Sequence, residues 1–87
     1  MKADRKKIKH QIAIVKGQLD GIVAMIDNDD YCIDISNQLL AAISGLKKAN
    51  NDVITAHLEH CVRNAKDQEE LDEKMAEINA ILKRMSN

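Results

Sequence analysis

The chain has no proline, phenylalanine or tryptophan, one tyrosine, two cysteines and three glycines in 87 residues. Two cysteines cannot build the dense disulfide framework that holds small secreted domains together. With almost no aromatics, the apolar material is Ile, Leu, Val, Ala and Met, which suits helices packing on helices. A monomer this small buries only a modest fraction of its surface, so self-association is expected to complete the core. The first nine residues, Met1 to Lys9, are charged rather than apolar, and no long apolar run follows. Neither an export signal nor a membrane span is expected, and the location read from this is cytoplasmic. A net charge of −1 argues against a general nucleic-acid coat, for which a strongly basic domain is expected.

What is present is helical periodicity. Ile8, Ile12, Val15, Leu19, Ile22 and Ile26 form a 4-3-4-3-4 stripe that stops at Asp27-Asn28-Asp29-Asp30, a stop signal and a source of N-caps. A second run passes through Ile35, Leu39, Ala42, Ile43, Leu46, Ala49, Val53, Leu58 and Val62, with a bend or break possible at Asn50-Asn51-Asp52. A third starts at Asp67, with Glu70 placed for a capping box, and carries Leu71, Met75, Ile78, Leu82 and Met85. The expectation is a single all-α domain over residues 1–87 with three helices, the middle one long.

Charge is polarised: Lys2, Arg5, Lys6, Lys7, Lys9 and Lys16 crowd the start, and acids gather between Asp67 and Glu77. For any one lysine the plain reading is a solvated helix face. On the middle helix Ala42, Gly45 and Ala49 make a row of small residues at 3-4 spacing. Glycine inside a helix costs roughly 1 kcal/mol against alanine, so a close helix–helix approach is the expected reason for Gly45.

Both cysteines and one histidine fall on that helix. His57 and Cys61 are four apart, share a face and can chelate one ion. Cys32 lies 25 residues upstream, about 37 Å along a straight helix. One chain cannot gather all three unless the helix breaks, whereas an antiparallel second copy brings Cys32 of one chain to His57 and Cys61 of the other. The two-fold axis then falls near position 45, at Gly45. Two thiolates and one imidazole favour copper(I) or zinc, and three ligands without a fourth suit trigonal copper(I) better than closed tetrahedral zinc. His10 and His60 are expected to face solvent. There is no phosphate loop, and the Cys/His pair lacks an orienting carboxylate, so an enzyme is not expected.

The segment Asp30-Tyr31-Cys32-Ile33-Asp34-Ile35, followed by His57-Leu58-Glu59-His60-Cys61-Val62, resembles the Cys…His-x-x-x-Cys copper fingerprint of the copper-sensitive operon repressor family. Gly17-Gln18-Leu19-Asp20-Gly21-Ile22 is similar to the Gly-Gln-x-x-Gly-Ile segment of that family's first helix. The resemblance implies a three-helix subunit, an antiparallel four-helix dimer core and a dimer-of-dimers tetramer. It also implies a transcriptional repressor that binds operator DNA as apo-protein and releases it on binding copper(I) at Cys32, His57 and Cys61. Tyr31 and Glu77 match a tyrosine and a glutamate that, in the family, hydrogen-bond the ligand histidine from outside.

Family members differ in their ligands. Nickel and cobalt sensors add an N-terminal histidine, and this chain has none before His10. Formaldehyde-responsive members lack the cysteine at position 61, and persulfide sensors lack the histidine at position 57. The copper pattern is the one intact here. One departure concerns DNA. The arginines usual before the Gly-Gln pair are missing from Gln11-Ile12-Ala13-Ile14-Val15-Lys16, which leaves Lys9 and Lys16, with Lys47 and Lys48 on the middle helix, as the DNA contacts. Two alternatives therefore stand beside the copper repressor: a thiol or persulfide switch using Cys32 and Cys61, and a copper-binding homologue with weak or lost DNA binding.

Overall fold

A computed structural model describes residues 1–85. It has three helices, α1 (Arg5–Asp27), α2 (Cys32–Asn64) and α3 (Gln68–Met85), and no strand among the described residues. The chain is all-α. Asp4 caps α1, its carboxylate accepting from the Lys7 backbone N–H at 3.2 Å. The acidic-amide cluster ends the helix: the Asn28 N–H donates back to the Ala24 carbonyl, and Asp29 takes a left-handed φ of 53°. The residue ahead of α2 is Tyr31, whose carbonyl accepts from Asp34 and Ile35, so none of the aspartates stands at that N-cap. Asp34 instead puts a carboxylate in the first turn, where the helix dipole favours it. At α3 the capping expected from the sequence is found. Asp67 Oδ1 accepts from the Glu70 N–H at 2.8 Å, while Glu70 Oε2 reaches back to the Lys66 N–H at 3.3 Å. Asn50, Asn51 and Asp52 are helical, so α2 runs on without the break their low propensity allowed.

By contacts the chain divides into Asp4–Asn50 and a second unit made of Met1–Ala3 with the residues from Asn51 on. In the first, Val15 and Ile22 of α1 pack with Ala42 of α2, and Ile35 lies against them. A β-carbon on Gly45 would come within 2.8 Å of Val15 Cγ2, and Ala42 and Ala49 are buried. The close approach expected at Gly45 therefore exists, but its partner is α1 of the same chain. This corrects the assignment of the small-residue row to a two-fold axis. The residues left outside are large: Ile12, Leu19 and Ile26 on α1, and Leu39, Ile43 and Leu46 on α2. In the second unit Ile78 is the most enclosed side chain, 2% exposed.

Candidate metal centre

His57 and Cys61 stand one helical turn apart, which puts both side chains on the same face of α2. His57 Nε2 is 3.5 Å from Cys61 Sγ. Cys61 is buried and His57 half-buried, so the thiol and the imidazole meet in a partly dehydrated setting where a soft cation would compete with little water. The donor chemistry fits copper(I): one sulfur and one nitrogen are already adjacent, and both cysteines are free thiols.

Two grooves flank the pair. One, of about 420 Å³, is lined by Ile54, Ile78, Ala80 and Ile81, with His57 and Glu77 as its polar members. The other, of about 220 Å³, is bordered by His57, His60 and Cys61 of α2, by Asn64 and Ala65, and by Glu70 and Lys74 of α3. Glu77 thus shares a groove with His57. Cys32 is the exposed first residue of α2, and Tyr31 before it is 69% exposed; both belong to the Asp4–Asn50 unit. No group of three or more His, Cys, Asp or Glu among the described residues is placed to hold a metal ion within one chain. Lys9, Lys16, Lys47 and Lys48 are all exposed and all lie in the Asp4–Asn50 unit.

His10 is exposed, as expected, but His60 is not. It is half-buried at the second groove, with Asn64 Nδ2 3.3 Å from its Nδ1 and donating at 2.8 Å to its carbonyl. Sequence reading also missed Glu70 and Lys74 as neighbours of Cys61. A signal existed: Glu70, Lys74 and Glu77 each stand one residue before Leu71, Met75 and Ile78, so they flank the apolar stripe of α3.

A sequence model of metal-sensitive transcriptional repressors matches residues 4–84. The copper-sensing transcriptional repressor CsoR of Mycobacterium tuberculosis is 38% identical over 63 residues, which cover 72% of this chain and 53% of that protein. The chain thus spans about half the length of that relative. The copper-sensing transcriptional repressor RicR of the same species is 38% identical over 73 residues, covering 82% and 76%. Among solved structures, the copper-sensing repressor CsoR with Cu(I) from Geobacillus thermodenitrificans superposes with a TM-score of 0.83 at 24% identity, covering 94% of this chain and 85% of that one. The nickel-responsive transcriptional regulator InrS gives 0.81 at 18% identity, covering 98% and 96%. At such identities the two structures speak for the fold.

Proposed function

The chain belongs to the family of metal-sensitive transcriptional repressors, and from that premise we propose that it represses transcription by binding operator DNA and releases it on binding copper(I) between two copies of itself. The ligands are Cys32 of one copy and His57 and Cys61 of the other. The observation that carries this is the 3.5 Å approach of His57 Nε2 to Cys61 Sγ at one end of a helix whose other end begins with Cys32. A chelating pair at one end and a lone thiol at the other is what an antiparallel two-fold pairing of α2 would complete. Copper-sensing relatives support the metal; the nickel-responsive neighbour is a likeness of fold.

With the small-residue row used inside the chain, the pairing surface is the large apolar one. Leu39, Ile43 and Leu46 are each close to half exposed and centre on the same stretch of α2 that the ligand spacing selects. Covering them removes apolar area from water at roughly 25 cal/mol per Å². A homodimer follows, and the α1 stripe Ile12, Leu19 and Ile26 offers a surface for pairing dimers into a tetramer. Around the site, Glu77 and Tyr31 are the acceptors for the imidazole N–H that faces away from the metal. Lys9, Lys16, Lys47 and Lys48 supply the phosphate contacts, in place of the family's first-helix arginines. Among the described residues no helix is long and apolar enough to cross a membrane, and a role on operator DNA would put the protein in the cytoplasm, acting as one domain and not as an enzyme. The test is fluorescence anisotropy of labelled upstream DNA with apo-protein, then with one equivalent of copper(I) per chain under anaerobic reductant. Binding by the apo-protein that copper reverses is expected. Absent binding at low salt rejects the repressor in favour of a copper-binding homologue, and reversal by persulfide but not copper(I) favours the thiol switch.

A further inference from the structure

The groove beside Cys61 holds groups for which ligation by His57 and Cys61 has no use. Lys74 is half-buried there, and none of the described residues pairs with its ammonium. An ammonium that has lost part of its hydration and gained no counter-ion is a standing attraction for an anion. His60 borders the same groove. With the Asn64 amide nitrogen donating to Nδ1, the neutral imidazole carries its proton on Nε2 and is a hydrogen-bond donor there. Glu70 adds one carboxylate, with one of its oxygens accepting from the Lys66 N–H. One cation, a hydrogen-bond donor, one acid and a buried thiol therefore line about 220 Å³. That is room for a small amino-acid-like molecule, whose carboxylate would seek Lys74 and whose ammonium would seek Glu70.

We propose that this groove docks the small carboxylate-bearing thiol that carries copper(I) to the protein, with Lys74 holding its carboxylate beside Cys61. The proposal rests on the copper(I) reading above. Free copper(I) is held by soft sulfur ligands, so it arrives as a bis-thiolate anion, RS–Cu–SR. On exchange, the copper bond to Cys61 sulfur forms and one bond to RS breaks. The proton of the Cys61 thiol leaves on the departing RSH, and copper stays in the +1 state, so no oxidant or reductant is needed. Lys74 binds the carrier and not the metal. It therefore governs how fast copper is transferred, and leaves how tightly copper is held unchanged.

Two readouts test this. In the absence of metal, reduced glutathione titrated into apo-protein is expected to shift the amide resonances of His60, Cys61 and Lys74, and Lys74→Gln is expected to abolish those shifts. In stopped flow, transfer from the copper(I)–glutathione complex is expected to slow about five-fold in Lys74→Gln, the size of one partly screened charge pair. Transfer from copper(I)–2-mercaptoethanol, which has no carboxylate, should not change, and Lys74→Arg should keep the fast rate. Equal slowing with both carriers, or no resonance shift in wild type, overturns the docking site while an unaltered copper affinity leaves the copper reading in place. A wild type that takes no copper from either carrier overturns both.

Discussion

Gly45 and Val15 meet so closely that a methyl group on Gly45 would lie 2.8 Å from Val15 Cγ2. Valine is stiff about its first side-chain torsion and cannot swing aside cheaply. Gly45→Ala gains about 1 kcal/mol of helix propensity but forces overpacking that typically costs about 1–3 kcal/mol. A net loss of about 1 kcal/mol is expected in urea unfolding. Adding Val15→Ala makes room for the methyl, so the double variant should lose less than the two single losses together. Strict additivity would place the cause of Gly45 elsewhere.

Lys48 is exposed on α2, and reversing its charge tests the DNA surface. Lys48→Glu should weaken operator binding and flatten its dependence on salt, lowering the log–log slope by about one for each phosphate no longer neutralised. An unchanged slope would remove Lys48 from the interface.

Glu77 shares a groove with His57 and is not among the proposed ligands. Glu77→Ala should therefore leave copper affinity nearly intact yet reduce the copper-induced loss of DNA affinity, where coupling is typically about 1–3 kcal/mol. His57→Ala should weaken both. Full release in Glu77→Ala, measured as operator affinity with and without saturating copper(I), rejects this link between metal and DNA.

Much of the fold is legible in the order of the residues. Apolar spacing marks the three helices, although of the α1 stripe only Val15 and Ile22 are buried within the chain, and Asp67 with Glu70 marks the start of α3 because capping needs only local chemistry. His57 and Cys61 can be paired because four residues is one turn. The partner of each face is what the order of residues does not encode. Gly45 signals a close approach, but spacing along one helix does not say whether α1 or a second copy makes it. His60 looks solvent-facing because the rest of its groove comes from Ala65 after the helix and from Glu70 and Lys74 of α3, which no periodicity of α2 encodes. Lys74 is hidden for the same reason: its stripe acquires meaning only once α3 is laid against α2.

The central claim is that Cys32 of one chain and His57 with Cys61 of another hold one copper(I). Cys32→Ala and Cys61→Ala chains, unfolded together and refolded as a mixture, test it directly by copper(I) competition against a chromophoric chelator. Each variant alone should lose tight binding. The mixed dimer, verified by mass spectrometry, should regain one tight site, because one of its two symmetry-related sites then has all three ligands. Verified mixed dimers that recover no tight copper(I) would contradict a site shared between chains.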